Sequence, residues 1–335
     1  MPLVLDRSEV LDIYTEAHDR QWVLPAFNSE NLTTTEAILG AVYDYGQTIG
    51  KNDLPIIIGI TNKYQDRPQA LLYSQTRKWE IGLRLFLREL EILTSTDSPF
   101  SNLRVMIHLD HIIWDEDQDL LDWDMSQFSS IMYDASTLPF DMNIKKTAAF
   151  VEKHGDKIVI EGACDAIPDA DASGNEEDLT TPEMAKQYFS ETGVDIIVPN
   201  LGTEHRATTS SLKYHGDLAR KISTHVGPNL CLHGTSSVSQ SEVSQLFNDG
   251  ICKVNMWTAL ERDSSYELLI NMLKNAAKIV GPVKAVELIR DELLGKKVDS
   301  SSAPSMDYYT TTYRQNIIFH QMKKIITEYL KIWYT

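Results

Sequence analysis

Apolar and polar positions alternate along this chain in two registers. Short, β-branched apolar runs recur, and between them lie stretches whose apolar residues return at helical spacing. Eight runs read as strands: Leu24–Asn28, Pro55–Thr61, Arg104–His111, Ser129–Ser136, Ile158–Cys164, Asp195–Leu201, Asn229–Gly234 and Ile251–Thr258. Ile56-Ile57-Ile58 and Ile196-Ile197-Val198 are continuously apolar, as strands buried on both faces must be when helices cover a parallel sheet. The intervening helices are expected at Thr33–Tyr45, Asn143–His154, Pro182–Thr192, Leu212–His225 and Ser239–Asp249, with Thr181 capping Pro182. Eight such βα units predict an α/β protein of the TIM (β/α)8 barrel class, one domain over residues 1–335. Residues 299–335 are expected to form a linker and a terminal helix from Tyr313 to Tyr329. Asp165–Leu179, after the fifth strand, and Val298–Asp307 carry the weakest pattern.

At 335 residues the chain is long enough for one large core. The net charge of -17 argues against nucleic acid, whose affinity rests on Lys and Arg neutralising phosphates. No apolar run approaches the roughly 20 residues of a membrane span, and the N-terminus lacks the pattern of a signal peptide, so a cytoplasmic location is expected. Three cysteines, Cys164, Cys231 and Cys252, are widely spaced and suit neither a disulfide framework nor a cysteine metal site.

Reactive groups of a β/α barrel collect at the C-terminal strand ends. Here those ends carry Asn28, Thr61, Asp110 with His111, Asp134, Glu161, His205 just past the sixth strand, His233 and Asn255. One strand-end histidine is more often structural than metal-binding. Three on one mouth form the ligand set of an open catalytic zinc site. His108, three residues before His111, is expected to point away from it. Asp110 beside the metal could exchange a proton with a substrate hydroxyl, or simply orient a ligand. Asp134 and Glu161 suit the orienting role. Glu176 and Glu177 offer a further acid or base, or are an ordinary solvated loop.

At these residues the chain resembles the class II fructose-bisphosphate aldolases, a family that includes tagatose-bisphosphate aldolases. The matching stretches are Ala26-Phe27-Asn28, Ile107-His108-Leu109-Asp110-His111, Ser130 to Ser136, Gly174-Asn175-Glu176-Glu177-Asp178, Gly202-Thr203-Glu204-His205, Leu232-His233-Gly234 and Lys253-Val254-Asn255. The resemblance implies one zinc per chain on His111, His205 and His233, with a monovalent cation at the phosphate site. It assigns Asp110 to proton exchange at the hydroxyl of the breaking bond, Glu177 to the enolate carbon and Asn255 to the enediolate. Gly234 and Ser236 would meet a substrate phosphate, and Asn28, Thr61, Gly202, Arg206 and Thr258 are expected to complete the substrate contacts. The implied reaction is reversible retro-aldol cleavage of a ketose phosphate, by a homodimer or larger homo-oligomer.

The chain also departs from the family pattern. Ala163 stands where the family has a second Glu, Arg206 where it has Gly, and Thr235 and Ser237 interrupt a glycine run. Met256-Trp257 replaces its strand-eight sequence. Side chains in place of glycine restrict backbone approach to an anion, whereas Arg206 could offer a guanidinium fork. A sugar without phosphate, or one bearing a carboxylate, is therefore the alternative substrate. A non-catalytic assembly subunit and a metal-dependent hydrolase are the competing functions.

Overall fold

The structure, a computed structural model, describes residues 2–65, 67–166, 179–203, 214–235 and 238–334. Eight strands close into one barrel in sequence order: β1 (Leu24–Asn28), β2 (Pro55–Ile60), β3 (Arg104–Ile113), β4 (Ser130–Asp134), β5 (Val159–Ala163), β6 (Ile196–Val198), β7 (Leu230–Leu232) and β8 (Ile251–Met256). Every pairing is parallel, and β8 returns to β1 with Leu24 opposite Lys253 and Ala26 opposite Asn255. Each strand is buried along almost its whole length because helices cover one face and barrel side chains fill the other. All eight expected runs are strands, although β6 and β7 keep only three residues each.

The expected helices form, with informative differences at their ends. Pro182–Thr192 has the predicted bounds: Thr181 Oγ1 accepts a hydrogen bond from the Met184 amide at 3.2 Å, and Gly193 ends the helix at φ 70°. The one at Leu32–Ile49 is longer than its apolar pattern, since Asn31 caps it and Gly50 stops it at φ 70°. Of the expected Ser239–Asp249 only Gln240–Val243 is helical, and the chain then continues through turns to Gly250. The terminal helix runs from Thr311 to Trp333 and lays Met322, Ile326, Leu330 and Trp333 against the barrel's outer layer, with Lys323 paired to Asp44 of Leu32–Ile49 at 2.6 Å.

An unpredicted helix, Arg7–Asp19, lies at the N-terminal end of the barrel, where Arg7 pairs with Asp195 just before β6. Val4 also donates its amide to the Val105 carbonyl near the start of β3, at 2.9 Å. These contacts leave the opposite end, where the strands finish, for chemistry. Cys164 and Cys231 are buried, Cys252 is half-buried, and all three are free thiols. No described helix is long and apolar enough to cross a membrane.

Candidate metal centre and active site

In β3 the side chains of His108 and Asp110 share the barrel interior by strand alternation. His111 should then face outward, but it does not. Its φ is 46°, and the register of β3 against β4 shifts between Leu109 and Ile112. That irregularity turns the imidazole back to the mouth, at a conformational cost of about 1–3 kcal/mol for a residue with a Cβ. The expectation that His108 points away from the site is thus corrected. It sits directly beneath it, 3.8 Å from Asp110 Oδ1.

Asp134, at the end of β4, places its Oδ2 3.0 Å from His111 Nδ1 and takes hydrogen bonds on Oδ1 from the Ser136 amide and hydroxyl. A carboxylate at Nδ1 selects the tautomer with its proton there and directs the Nε2 lone pair inward. His111 Nε2 then lies 3.2 Å from His233 Nδ1. Two nitrogens on one tetrahedral zinc are about 3.3 Å apart at ordinary bond lengths, so the spacing fits a shared ion. Asp110, His111 and His233 offer ligand atoms within 4.8 Å of one another, all on buried residues. Thr203 steadies this arrangement by donating its hydroxyl to the His233 carbonyl at 2.7 Å, and the Tyr64 ring stacks on His111 at 4.4 Å. His205, expected as the third ligand, lies outside the described residues, as do Glu177, Arg206, Ser236 and Ser237.

Asp110 is held on both oxygens. Oδ2 accepts from Asn28 Nδ2 at 2.8 Å and Arg67 Nη2 at 2.9 Å, and Oδ1 accepts from Asn255 Nδ2 at 2.9 Å. Burial alone would push its carboxyl up. The imidazole of His111 and the Arg67 guanidinium, with His108 beneath, outweigh that and hold it well below the usual carboxylate range. Asn28 and Asn255, both expected at the site, therefore reach it by gripping the acid. Thr61 is different: it is wholly buried and donates its hydroxyl to the Arg67 carbonyl, so it shapes the β2 loop instead of facing the mouth. Gly202 and Gly234 take φ values of 81° and 66° in the turns after β6 and β7, which a side chain would strain.

A buried ionic chain lies beneath the acid. Lys253 Nζ donates to Glu161 Oε1 at 2.6 Å and sits 3.1 Å from His108 Nε2, while His108 Nδ1 meets Ser130 Oγ at 2.8 Å. Glu161, expected to orient a metal ligand, makes its hydrogen bond to Lys253 instead, although it also groups with Cys231 and His233 within 4.8 Å. A cation in that deeper group would meet the Lys253 ammonium, so the Asp110–His111–His233 group is the better metal position. Replacing Lys253 with Met should strand Glu161 as an uncompensated buried charge and cost about 3–5 kcal/mol of stability. Urea unfolding checks this, with recovery expected in the double variant Lys253→Met/Glu161→Gln.

At the β8 end, Trp257 Nε1 and Gln69 Nε2 both donate to Glu30 Oε1, at 2.6 and 2.7 Å. Glu261 stands nearby, its carboxyl pushed up to about 7 by burial and by the charge of Glu30. Thr258, half-buried, begins the helix Thr258–Lys274. Ala163 is buried in β5 and leaves no carboxylate at that position. Sequence reasoning missed Arg67, Tyr64, Lys253 and the inward His108. The first two stand on a βα loop at the mouth, which was the available signal; a lysine inside a barrel strand was another.

A closed parallel barrel with converging imidazoles and a caged acid at its strand ends defines a β/α-barrel enzyme with a candidate metal centre. Residues 8–331 match the family model for Fructose-bisphosphate aldolase class-II, and the chain belongs to that family, whose members are metal-dependent aldehyde-lyases. Among solved structures it is similar to fructose-bisphosphate aldolase from Campylobacter jejuni, with 18% identity, 99% of this chain and 95% of that one covered, and a TM-score of 0.74. The YdjI aldolase of Escherichia coli K12 matches at 16% identity over 96% and 94% of the two chains, with a TM-score of 0.65. A putative fructose-1,6-biphosphate aldolase from Coccidioides immitis matches at 18% identity over 98% and 96%, also at 0.65. At these identities the structural matches speak to the fold.

Proposed function

We propose that this chain, acting as one barrel domain over residues 1–335, cleaves and forms a carbon–carbon bond next to the ketone of a ketose phosphate resembling fructose or tagatose bisphosphate. The observation that carries this reading is the convergence of His111, His233 and Asp110 at the strand ends. His111 and His233, with His205, would hold one zinc. Zinc there would supply Lewis acidity to negative charge developing on the oxygens of a hydroxyketone.

Asp110 is the residue assigned to proton exchange with the hydroxyl of the bond that breaks, and Asn255 and Asn28, which hold its two oxygens, would orient it for that transfer. Asp134 keeps the His111 tautomer. Glu177 is the residue assigned to the proton of the enolate carbon, and Gly202, Gly234, Ser236, Arg206 and Thr258 to the substrate's remaining oxygens, with a monovalent cation beside them. A cytoplasmic homo-oligomer is the working state.

A second substrate reading, a sugar with no phosphate or with a carboxylate, draws on the β8 end. Glu30 beside Trp257 places negative charge there, which disfavours a doubly charged phosphate more than a singly charged carboxylate or a neutral hydroxyl.

The test is a cleavage screen of ketose bisphosphates, ketose monophosphates and keto sugar acids, with metal content measured on the same protein. About one zinc per chain, with cleavage abolished by a chelator and restored by zinc, is expected. Zinc bound without cleavage of any class would favour a non-catalytic subunit. Cleavage that survives complete metal removal would exclude the mechanism.

A further inference from the structure

Arg67, on the loop after β2, reaches Asp110, and no motif announced it. Its Nη2 donates to Asp110 Oδ2 at 2.9 Å, and its side chain is only 10% exposed. The guanidinium lies over two rings, 5.5 Å from the centre of Tyr64 and 5.2 Å from that of Trp257. Tyr64 itself stacks on His111, so one packed unit joins Arg67 to the candidate metal ligand.

The loop that carries it is tied down. Thr61 donates its hydroxyl to the Arg67 carbonyl, the Gln69 amide donates to the same carbonyl at 3.0 Å, and Gln69 Oε1 accepts from the Thr61 amide at 2.9 Å. A guanidinium has five N–H donors. The contact with Asp110 uses one, and the others have no acceptor among the described residues, yet none of these nitrogens is sealed from solvent. Lys63, on the same loop, is engaged elsewhere: it donates to the Glu116 carbonyl at 2.9 Å and lies over Trp79.

We propose that Arg67 is the anion-recognising residue of this active site, presenting its remaining N–H edge to the phosphate or carboxylate of a hydroxyketone that lies beside Asp110. The two rings hold the planar fork in one orientation and exclude water from its faces, which strengthens each charge-assisted hydrogen bond. The shared contact with Asp110 places the substrate's anionic end at a set distance from the acid. This assignment rests on the hydroxyketone reading above and deepens it by naming the residue that selects an anionic substrate.

Three probes that differ at one end separate the possibilities: dihydroxyacetone, dihydroxyacetone phosphate and hydroxypyruvate. Their binding to the zinc-loaded protein, its R67Q variant and its R67K variant is measured by titration calorimetry, with thermal melting confirming that each variant is folded. The wild type should bind at least one anionic probe about 10- to 100-fold more tightly than dihydroxyacetone, the worth of a charge-assisted hydrogen bond or two. R67Q should lose that preference, its binding of the anionic probe falling far more than its binding of dihydroxyacetone, and R67K should restore part of it. The anionic probe most affected tells phosphate from carboxylate. Equal binding of all three by the wild type, or a preference that survives in R67Q, overturns the role of Arg67 and leaves the hydroxyketone reading standing. Failure of the wild type to bind any of the three overturns both.

Discussion

Replacing His233 with alanine is expected to remove the metal and the aldol cleavage together. His233 Nδ1 faces His111 Nε2 at 3.2 Å, and both residues are almost completely buried, so the pair is either a metal clamp or a hydrogen bond between two neutral imidazoles. The alternatives predict different variants. A clamp that loses one imidazole keeps too few donors for tight binding, and zinc should fall from about one per chain to a small fraction. Cleavage should drop by about 10²–10³-fold or more, the scale seen when a preorganised electrostatic contact to the transition state is removed. The loss of Thr203's contact does not complicate the result, because that hydrogen bond goes to the His233 backbone. Elemental analysis beside a cleavage assay decides the matter. Full metal content in His233→Ala would mean that the two rings simply bond to each other and that zinc sits elsewhere.

Asp110→Asn should separate metal binding from proton transfer. The side chain keeps its shape, and the three proposed ligands His111, His205 and His233 remain, so zinc content should stay near that of the wild type. The carboxylate accepts on one oxygen from Asn28 and Arg67 and on the other from Asn255. An amide offers only one oxygen. One side of the cage then faces an N–H group, and Asn255 must turn its own amide over to accept from it, or about 1–3 kcal/mol of stability is lost. Cleavage should fall by about 10²–10⁴-fold, the usual contribution of a positioned acid or base. The decline should appear in kcat, since the groups that bind the ketone are untouched. A variant that cleaves at the wild-type rate would remove Asp110 from the proton path and leave its cage as a purely structural network.

Both predictions draw on residues that stand out in the one-dimensional pattern, and the reason is geometric. In a parallel barrel every strand ends at the same mouth, so the last polar residue of each apolar run is a candidate for the site whatever the details of packing. Asn28, Asp110, His233 and Asn255 are legible in this way. The helix Pro182–Thr192 is equally legible, because its cap and its stop are local residues, Thr181 and Gly193. Ser239–Asp249 misleads for the converse reason: its apolar spacing suits a helix, but the turns that lead to Gly250 at φ 86° replace most of it.

What the sequence by itself determined is the number of βα units, their order, and the chemical types gathered at one end of a barrel. Periodicity and strand direction are properties of neighbouring residues, and they survive without knowledge of the third dimension. The tertiary structure alone decided that His111 joins His108 and Asp110 on one side, since a left-handed residue and a register shift depend on how β3 meets β4. It also decided that Lys253 pairs with Glu161, 92 residues away in the chain, and that Arg67 grips Asp110 across 43. Those partnerships follow from the closure of the barrel, which brings strands and loops together at distances that no local pattern encodes.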